Sequence, residues 1–206
     1  MDLLINTFVT LFIVIDPIGI GSMFMLLAGR IDGGARRKMA LRGTLIASII
    51  LFAFYLGGGE FLKILGIGVP AFRIAGGALL FLLAIDMVFA RQTGLRSTTI
   101  REQEEAEQKN DISVFPLAFP LIAGPGAITT VLLMAATPGS ATLYVGMAAI
   151  LALVLILTLL SLLFAARISH LLGETGANVV SRLLGLLLAA LAVQYILDGL
   201  REGLVF

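Results

Sequence analysis

One acidic residue stands in the middle of a long apolar segment near the start of the chain. In LFIVIDPIGIGSMFMLLAG, residues 11–29, Asp16 is followed by Pro17 and by Gly19. A carboxylate in this setting can hold a proton or a cation. The Asp-Pro pair also matches a helix N-cap with proline at the first helical position. The two roles are compatible, because a capping residue can also carry a coupling proton or sodium ion.

A second interruption of the same kind occurs in FPLAFPLIAGPGAITTV, where Gly124, Pro125 and Gly126 break another apolar segment. A helix that restarts after such a break exposes unpaired N–H groups and a partial positive charge. This arrangement suits a carboxylate or another anionic ligand. We therefore take the two interruptions as the candidate binding site for an ion and a small solute.

The composition identifies the class of protein. Of the 206 residues, 59% are hydrophobic and 13% are charged, and the mean hydropathy is +1.08, whereas soluble domains carry about 25% charged residues. Runs such as AILALVLILTLLSLLFAA lack the alternation of a transmembrane barrel. The sequence predicts an all-α, polytopic membrane protein with six spans at about 3–28, 38–57, 68–90, 113–136, 141–166 and 178–200.

Several function classes are disfavoured. The net charge of +1 gives no basic face for a nucleic acid, and the chain has no cysteine. His170 stands alone without a second ligand at metal spacing, so no metal is expected. Asp16 is the only acid predicted at the bilayer centre, whereas an intramembrane aspartyl protease needs two. We expect no enzymatic activity and no cofactor beyond a coupling H⁺ or Na⁺.

The six spans divide into two sets of three. When Gly19 is aligned with Gly126, Ser22 falls on Thr129, although Ala123 replaces the aspartate. Three spans per copy would insert the copies with opposite orientation, as in many secondary transporters. We predict one transmembrane domain, 1–206, made of repeat 1 (1–90), a cytoplasmic loop (91–112) and repeat 2 (113–206), with broken first and fourth helices.

The basic residues predict the orientation, because positive charges resist translocation. Eleven of the 14 Lys and Arg residues fall on the cytoplasmic side if both termini lie outside. These are Arg30, Arg36, Arg37, Lys38, Arg42, Arg91, Arg96, Arg101, Lys109, Arg167 and Arg182, against Lys63, Arg73 and Arg201 outside. The cluster GGARRKMALR is most economically a topology anchor, and the alternative is a role in binding lipid headgroups or a partner.

Both interruptions lie near the midpoints of their spans and are expected at the bilayer centre, facing the bundle interior. Unsatisfied backbone groups in lipid cost several kcal/mol each, so such breaks persist only where protein or water covers them. An ionised aspartate at that depth costs roughly 2.5–3.5 kcal/mol, a cost usually tolerated for function. Gln194, deep in the sixth span, either lines the same cavity or forms an interhelical hydrogen bond.

Four stretches carry a family resemblance: DPIG, FRIAGGALLFL, FPLAFPLIAGPGAITTV and SRLLGLLLAALAVQYILDG. Together they resemble the MarC family of bacterial inner-membrane proteins over nearly the whole chain. The resemblance implies six spans and a bacterial inner-membrane location. Members similar to SnatA move small neutral amino acids with a cation gradient. The chain departs from the usual family pattern at Ile20, where Asn is common, and at Ser22, where Pro is common.

The expected function is a cation-coupled secondary transporter of a small zwitterion such as a neutral amino acid. The alternative is a channel, or a structural or assembly protein of the membrane, in which the breaks only shape helix packing. The lipid bilayer and a small solute are the expected partners, with no nucleic acid. Helix faces rich in Gly and Ala are compatible with a homo-oligomer without requiring one.

Overall fold

The computed structural model describes residues 2–28, 31–89 and 111–204. Every element within these ranges is helical, as predicted, and almost all of the predicted loop 91–112 lies outside them. The helices are α1 (Asp2–Ile15), α2 (Pro17–Ala28), α3 (Gly33–Ile64), α4 (Val69–Phe89), α5 (Ser113–Ile122), α6 (Pro125–Ala136), α7 (Ala141–Leu163) and α8 (Ala165–Leu204).

The described helices are long and apolar enough for a polytopic membrane protein. Five stretches could each cross a bilayer, namely Leu3–Ala28, Gly33–Ile64, Val69–Phe89, Ala141–Leu163 and Thr175–Leu204. The first of these joins α1 and α2 across Asp16. Helices α5 and α6 form a sixth span if they are taken together, with a bend of 57° between them. The prediction of two broken spans is therefore confirmed.

Helix α3 is longer at both ends than the predicted span 38–57. It begins after Asp32, whose Oδ2 accepts a 2.8 Å hydrogen bond from the backbone N–H of Gly34. It then continues through the three glycines at 57–59, where the sequence predicted an end. Gly58 is buried against Leu132 of α6, so the missing side chain allows close helix packing rather than a turn.

Helix α5 contains two interruptions in addition to the predicted break at residues 124–126. Phe115 (φ −131°, ψ 129°) and Phe119 (φ −135°, ψ 130°) are extended, and each precedes a proline through a cis peptide bond. Proline lacks an N–H donor and disfavours helical geometry in the residue before it. Two prolines four residues apart therefore interrupt the helix twice within ten residues.

The last helix also contains a change of direction. Gly173 has a φ of 62° within α8, a conformation that glycine adopts without steric penalty. The part of α8 before Gly173 begins at Ala165, directly after the end of α7 at Leu163. The part after it, Thr175–Leu204, forms the last candidate span. This span begins earlier and ends later than the predicted 178–200.

The packing interlocks the two halves of the chain. The main packing partners of α2 are α7 and α8, and those of α6 are α3 and α4. Helices α4 and α8 share the most extensive contact, and glycines bring their backbones together: a Cβ on Gly77 would lie 2.7 Å from the carbonyl oxygen of Ala192. Contacts of this kind, in which α2 packs on the second half and α6 packs on the first, are expected if the two halves are related by a twofold axis in the membrane plane. The repeat boundaries stay a prediction.

Ion pairs link the ends of the helices. Arg42 of α3 lies 2.7 Å from Asp111, just before α5, and Arg73 of α4 pairs with Glu202 at the end of α8. The first pair joins two segments predicted to be cytoplasmic, and the second joins two predicted to be outside. Both pairs agree with a chain that crosses the membrane six times in alternating directions.

Candidate functional site

The first break is built around Asp16. This residue has a φ of +54°, a region that Asp and Asn tolerate better than other side chains. Its backbone N–H still reaches Phe12 of α1 (2.9 Å) and its carbonyl already accepts from Ile20 of α2 (2.9 Å). Its Oδ1 accepts a 3.0 Å hydrogen bond from the N–H of Gly19. Asp16 therefore caps α2, with Pro17 at the first helical position, as the sequence predicted.

Two serines from the second half of the chain hold this break in place. Ser181 of α8 donates from Oγ to Oδ2 of Asp16 at 3.1 Å, and Ser161 of α7 donates from Oγ to the carbonyl oxygen of Pro17 at 2.6 Å. Asp16 is only 2% exposed. Neither serine was predicted from the sequence, although the hydroxyl of Ser161 inside the apolar run LTLLSLLF is a usable signal.

The glycines of α2 allow this close approach. A Cβ on Gly19 would overlap the Asp16 carboxylate and lie 2.9 Å from Oγ of Ser181. A Cβ on Gly21 would lie 2.6 Å from Oγ of Ser161. Both separations are shorter than a carbon atom normally tolerates, so these positions require glycine for the hydroxyls to reach the break.

The second break differs from the first in its backbone conformation and in its partners. Gly124 is extended (φ −74°, ψ 172°) and Pro125 begins α6, but no side chain caps this helix. The carbonyl oxygen of Gly124 accepts from the N–H of Ile128 (3.0 Å), and that of Gly126 accepts from Oγ1 of Thr130 (2.9 Å). The N–H groups of the first turn of α6 therefore lack the carboxylate that serves α2.

The two breaks approach one another inside the bundle. A Cβ on Gly126 would lie 3.3 Å from a methyl group of Val14, two residues before Asp16, and 3.0 Å from side chains of Leu80 and Leu83. A cavity of about 10 Å³ lies there, between Val14 and the residues of the second break. This volume suits about one water molecule. The space is closed to a larger solute in this conformation.

The remaining predicted site residues divide into two groups. Ser22 and Thr129 both lie in the interior: Oγ of Ser22 is buried and has no hydrogen-bond partner among the described residues, and Thr129 is 4% exposed with its methyl against Gly76. Gln194 is exposed instead. Its Nε2 donates to Oδ1 of Asp198 (2.8 Å), one turn further along the same helix.

The placement of Gln194 corrects the prediction that it lines the cavity or bonds to another helix. Residues four apart on a helix are neighbours. The Gln194 amide can therefore form its hydrogen bond to Asp198 on the helix surface and does not need a partner in the interior. What the structure brings together at the first break is one buried carboxylate, two serine hydroxyls and a backbone carbonyl. These oxygen atoms can hold a proton or a small cation. Within the described residues, no group of three or more His, Cys, Asp or Glu side chains is placed to hold a metal ion.

Comparisons with known proteins agree with this architecture. The MarC family of integral membrane proteins matches residues 1–204. A UPF0056 membrane protein of Archaeoglobus fulgidus is 39% identical over 97% of this chain and 92% of its own length. The UPF0056 protein MJ1677 of Methanocaldococcus jannaschii is 37% identical over the full length of both chains. YvbG of Bacillus subtilis is 36% identical over 96% of this chain and 94% of its own. No solved structure matches the chain.

Proposed function

The chain belongs to the MarC family of integral membrane proteins, and we propose that it is a secondary transporter that couples H⁺ or Na⁺ to the movement of a small neutral amino acid or a similar small solute. The observation that carries this proposal is the buried Asp16 carboxylate at a helix break, hydrogen-bonded to Gly19 of its own half and to Ser181 of the other half.

The position of Asp16 links ion occupancy to helix packing. Its two carboxylate oxygens accept from α2 and from α8. A carboxylate that gains a proton loses part of its accepting capacity and becomes a donor. Protonation or cation binding at Asp16 therefore changes the bonds that hold α2 against α8. A secondary transporter needs such a link between the ion and the arrangement of its two halves.

The second break supplies the complementary group for a zwitterion. The uncapped start of α6 presents N–H groups and the positive end of a helix dipole, which suit the carboxylate of an amino acid. The ammonium group would then lie toward Asp16 or the backbone carbonyls. The buried hydroxyl of Ser22, which has no hydrogen-bond partner among the described residues, lies on α2, the helix that follows the first break. Because the space beside Gly126 is about 10 Å³, transport requires the two halves to move apart.

The test is flux into proteoliposomes. Purified protein is reconstituted, a proton or a sodium gradient is imposed separately, and accumulation of labelled neutral amino acids is measured. We expect saturable accumulation with one gradient, and its loss in Asp16→Asn. Asp198→Asn is the matched control. It makes the same chemical change at an acid that is hydrogen-bonded to Gln194 on the exposed face of α8, away from both breaks.

The alternative is a structural or channel protein, and the close packing of the breaks is the observation that favours it. In that case no gradient drives accumulation of any amino acid in the panel, and Asp16→Asn changes only stability or passive leak. That result would refute the transporter proposal.

We also propose that the protein lies in the inner membrane of a bacterium with both termini outside. Since the sequence has no cysteine, single cysteines introduced after residue 1, before residue 206 and within 91–112 can report sidedness. In intact cells, a membrane-impermeant maleimide should label the two terminal positions but not the loop. Labelling of the loop alone would contradict this proposal and would indicate the opposite orientation.

A further inference from the structure

A cavity of about 390 Å³ lies at one end of the bundle, between the end of α2, the start of α3 and the junction of α7 with α8. Apolar side chains, including Phe24, Leu162 and Phe164, form one part of its lining. Arg36 and Arg37, from the first turns of α3, form the other. The volume lies in the range of about 300–1,000 Å³ typical of small-molecule sites.

The two arginines are available to a ligand. Within the described residues, the ion pairs join Arg42 to Asp111, Lys63 to Glu60 and Arg73 to Glu202, so neither Arg36 nor Arg37 takes part in one. Arg36 is half-buried, and its Nη1 lies 3.6 Å from the sulfur of Met25, which also lines the cavity.

A third guanidinium, that of Arg167, lies 5.4 Å from the ring centroid of Phe164, beside the same cavity. The acid at the start of α3 is Asp32, whose carboxylate accepts a hydrogen bond from the backbone N–H of Gly34. Among the described residues, basic groups therefore outnumber acids at this end of the bundle. Arginine binds phosphate through two parallel hydrogen bonds, which makes it the preferred side chain for a phosphate group in a partly apolar site.

We propose that this cavity binds an anionic phospholipid, with its phosphate on Arg36 and Arg37 and the start of an acyl chain on the apolar wall. The cavity lies at the helix ends, where headgroups lie, and its wall continues into Leu163 and Phe164, which are 36% and 45% exposed. These arginines belong to the segment predicted to be cytoplasmic, where anionic lipids attract basic groups. The cluster then binds lipid in addition to fixing topology.

A cavity at the opposite end of the bundle gives an internal comparison. It measures about 560 Å³ and lies between the end of α3 and the junction of α6 with α7. Its cation, Lys63, is already paired with Glu60 at 2.7 Å. Charge therefore distinguishes the two cavities, and only the first offers unpaired guanidinium groups within the described residues.

The experiment measures lipid retention by native mass spectrometry of the purified full chain, after incubation with phosphatidylglycerol or phosphatidylcholine. The test variant is Arg36→Gln/Arg37→Gln. The matched control is Lys38→Gln/Arg42→Gln, which removes two positive charges from the same end of α3 without touching the cavity lining. We expect phosphatidylglycerol to bind the wild type and the control, and to bind the test variant about tenfold or more weakly, because two charge-assisted contacts are lost.

Three results would overturn the proposal: equal binding of both lipids, equal loss in both double variants, or displacement of the lipid by millimolar inorganic phosphate, which would indicate a site for free phosphate. If Arg36→Gln/Arg37→Gln does not fold, Arg36→Lys/Arg37→Lys replaces it. That variant keeps the charge and loses the planar fork, so retention should fall to an intermediate level, and unchanged retention would contradict the assignment. The readout does not depend on solute transport, so it stands apart from the proposed function.

Discussion

Asp16 closes the first break with a carboxylate, whereas Gly124 begins the second with no side chain at all. Serines from α7 and α8 reach across the bundle to the first break. The second break is packed by the side chains of Val14, Leu80 and Leu83. A proline-containing break is therefore held by polar cross-links in the first half and by apolar contact in the second. This difference favours a division of roles in the proposed transport cycle, with the ion at the first break and the solute carboxylate at the second.

Removing the carboxylate should give the largest effect. In Asp16→Asn the amide oxygen can still cap α2, and Asn tolerates a positive φ, so the fold is expected to persist while gradient-driven flux is lost. Asp16→Ala loses the cap and places alanine in the left-handed region. It should lower the free energy of unfolding by about 2–4 kcal/mol. Thermal unfolding in detergent, measured beside the flux, separates the two variants, and equal destabilisation would argue against a distinct role for the charge.

Adding one methyl group to each break should distinguish polar from apolar packing. Gly19→Ala forces a carbon against the Asp16 carboxylate, and we expect a loss of about 1–3 kcal/mol. Gly126→Ala meets the ends of Leu80 and Leu83 at 3.0 Å. These flexible ends can move, and alanine favours a helix over glycine by about 1 kcal/mol, so the net change should be near zero. A larger loss for Gly126→Ala in the same unfolding assay would reverse the comparison.

Loss of the Ser161 hydroxyl, which bonds across the two halves, should destabilise the fold more than loss of the Thr130 hydroxyl, which bonds within one helix. Ser161→Ala removes the donor to the Pro17 carbonyl, at a cost of about 1 kcal/mol. Thr130→Val keeps the shape of the side chain and removes a bond to Gly126, four residues earlier in the same helix, so the loss should be smaller. Unfolding temperatures of the two variants provide the measurement. A greater effect of Thr130→Val would show that the second break depends on its polar groups.

The smallest effect concerns Asp111, which lies two residues before the start of α5 and outside the span. The neighbouring Ser113, whose backbone N–H donates to Oδ1 of Asp111 at 3.0 Å, and then the charge of Arg42 lower the pKa of Asp111 below its usual value of 3.8. A lowered pKa stabilises the fold at pH values above 3.8, and this contribution is lost as the pH falls through the folded-state pKa.

The Asp111 side chain is 41% exposed, so solvent screening limits the expected contribution to a few tenths of a kcal/mol. Asp111→Asn should therefore be slightly less stable than the wild type at pH 7. The two should converge in acid, as measured by unfolding across a pH series. A constant difference at every pH would assign the effect to something other than ionisation.

Much of this architecture follows from local sequence signals. The apolar periods locate the spans, and the Asp-Pro and Gly-Pro-Gly sequences locate the breaks, because proline and glycine act on the residues next to them. The capping role of Asp16 was predictable for the same reason. The two prolines of FPLAFPL carried the signal for the irregular α5, but the break predicted for this span lies only at residues 124–126.

The partners of the breaks were not predictable in this way. Ser161 and Ser181 are 144 and 165 residues away from the groups that they contact. No periodicity within one helix specifies which helix of the other half will lie beside it. Gln194 illustrates the converse, because a polar residue deep in a span invites an interior position, yet Asp198 one turn later satisfies it on the surface.

The interlocked packing of the two halves has a consequence for how the protein is made. When Asp16 is synthesised, Ser181 is still 165 residues from synthesis, a delay of about 10–30 s at ordinary elongation rates. During that time α1 and α2 have none of the neighbours from α7 and α8 against which they finally pack. The hydroxyl groups of Ser161 and Ser181 therefore reach the first break only after the second half has been made. Assembly of the first break thus finishes last, although the break itself is among the first parts of the chain to be made.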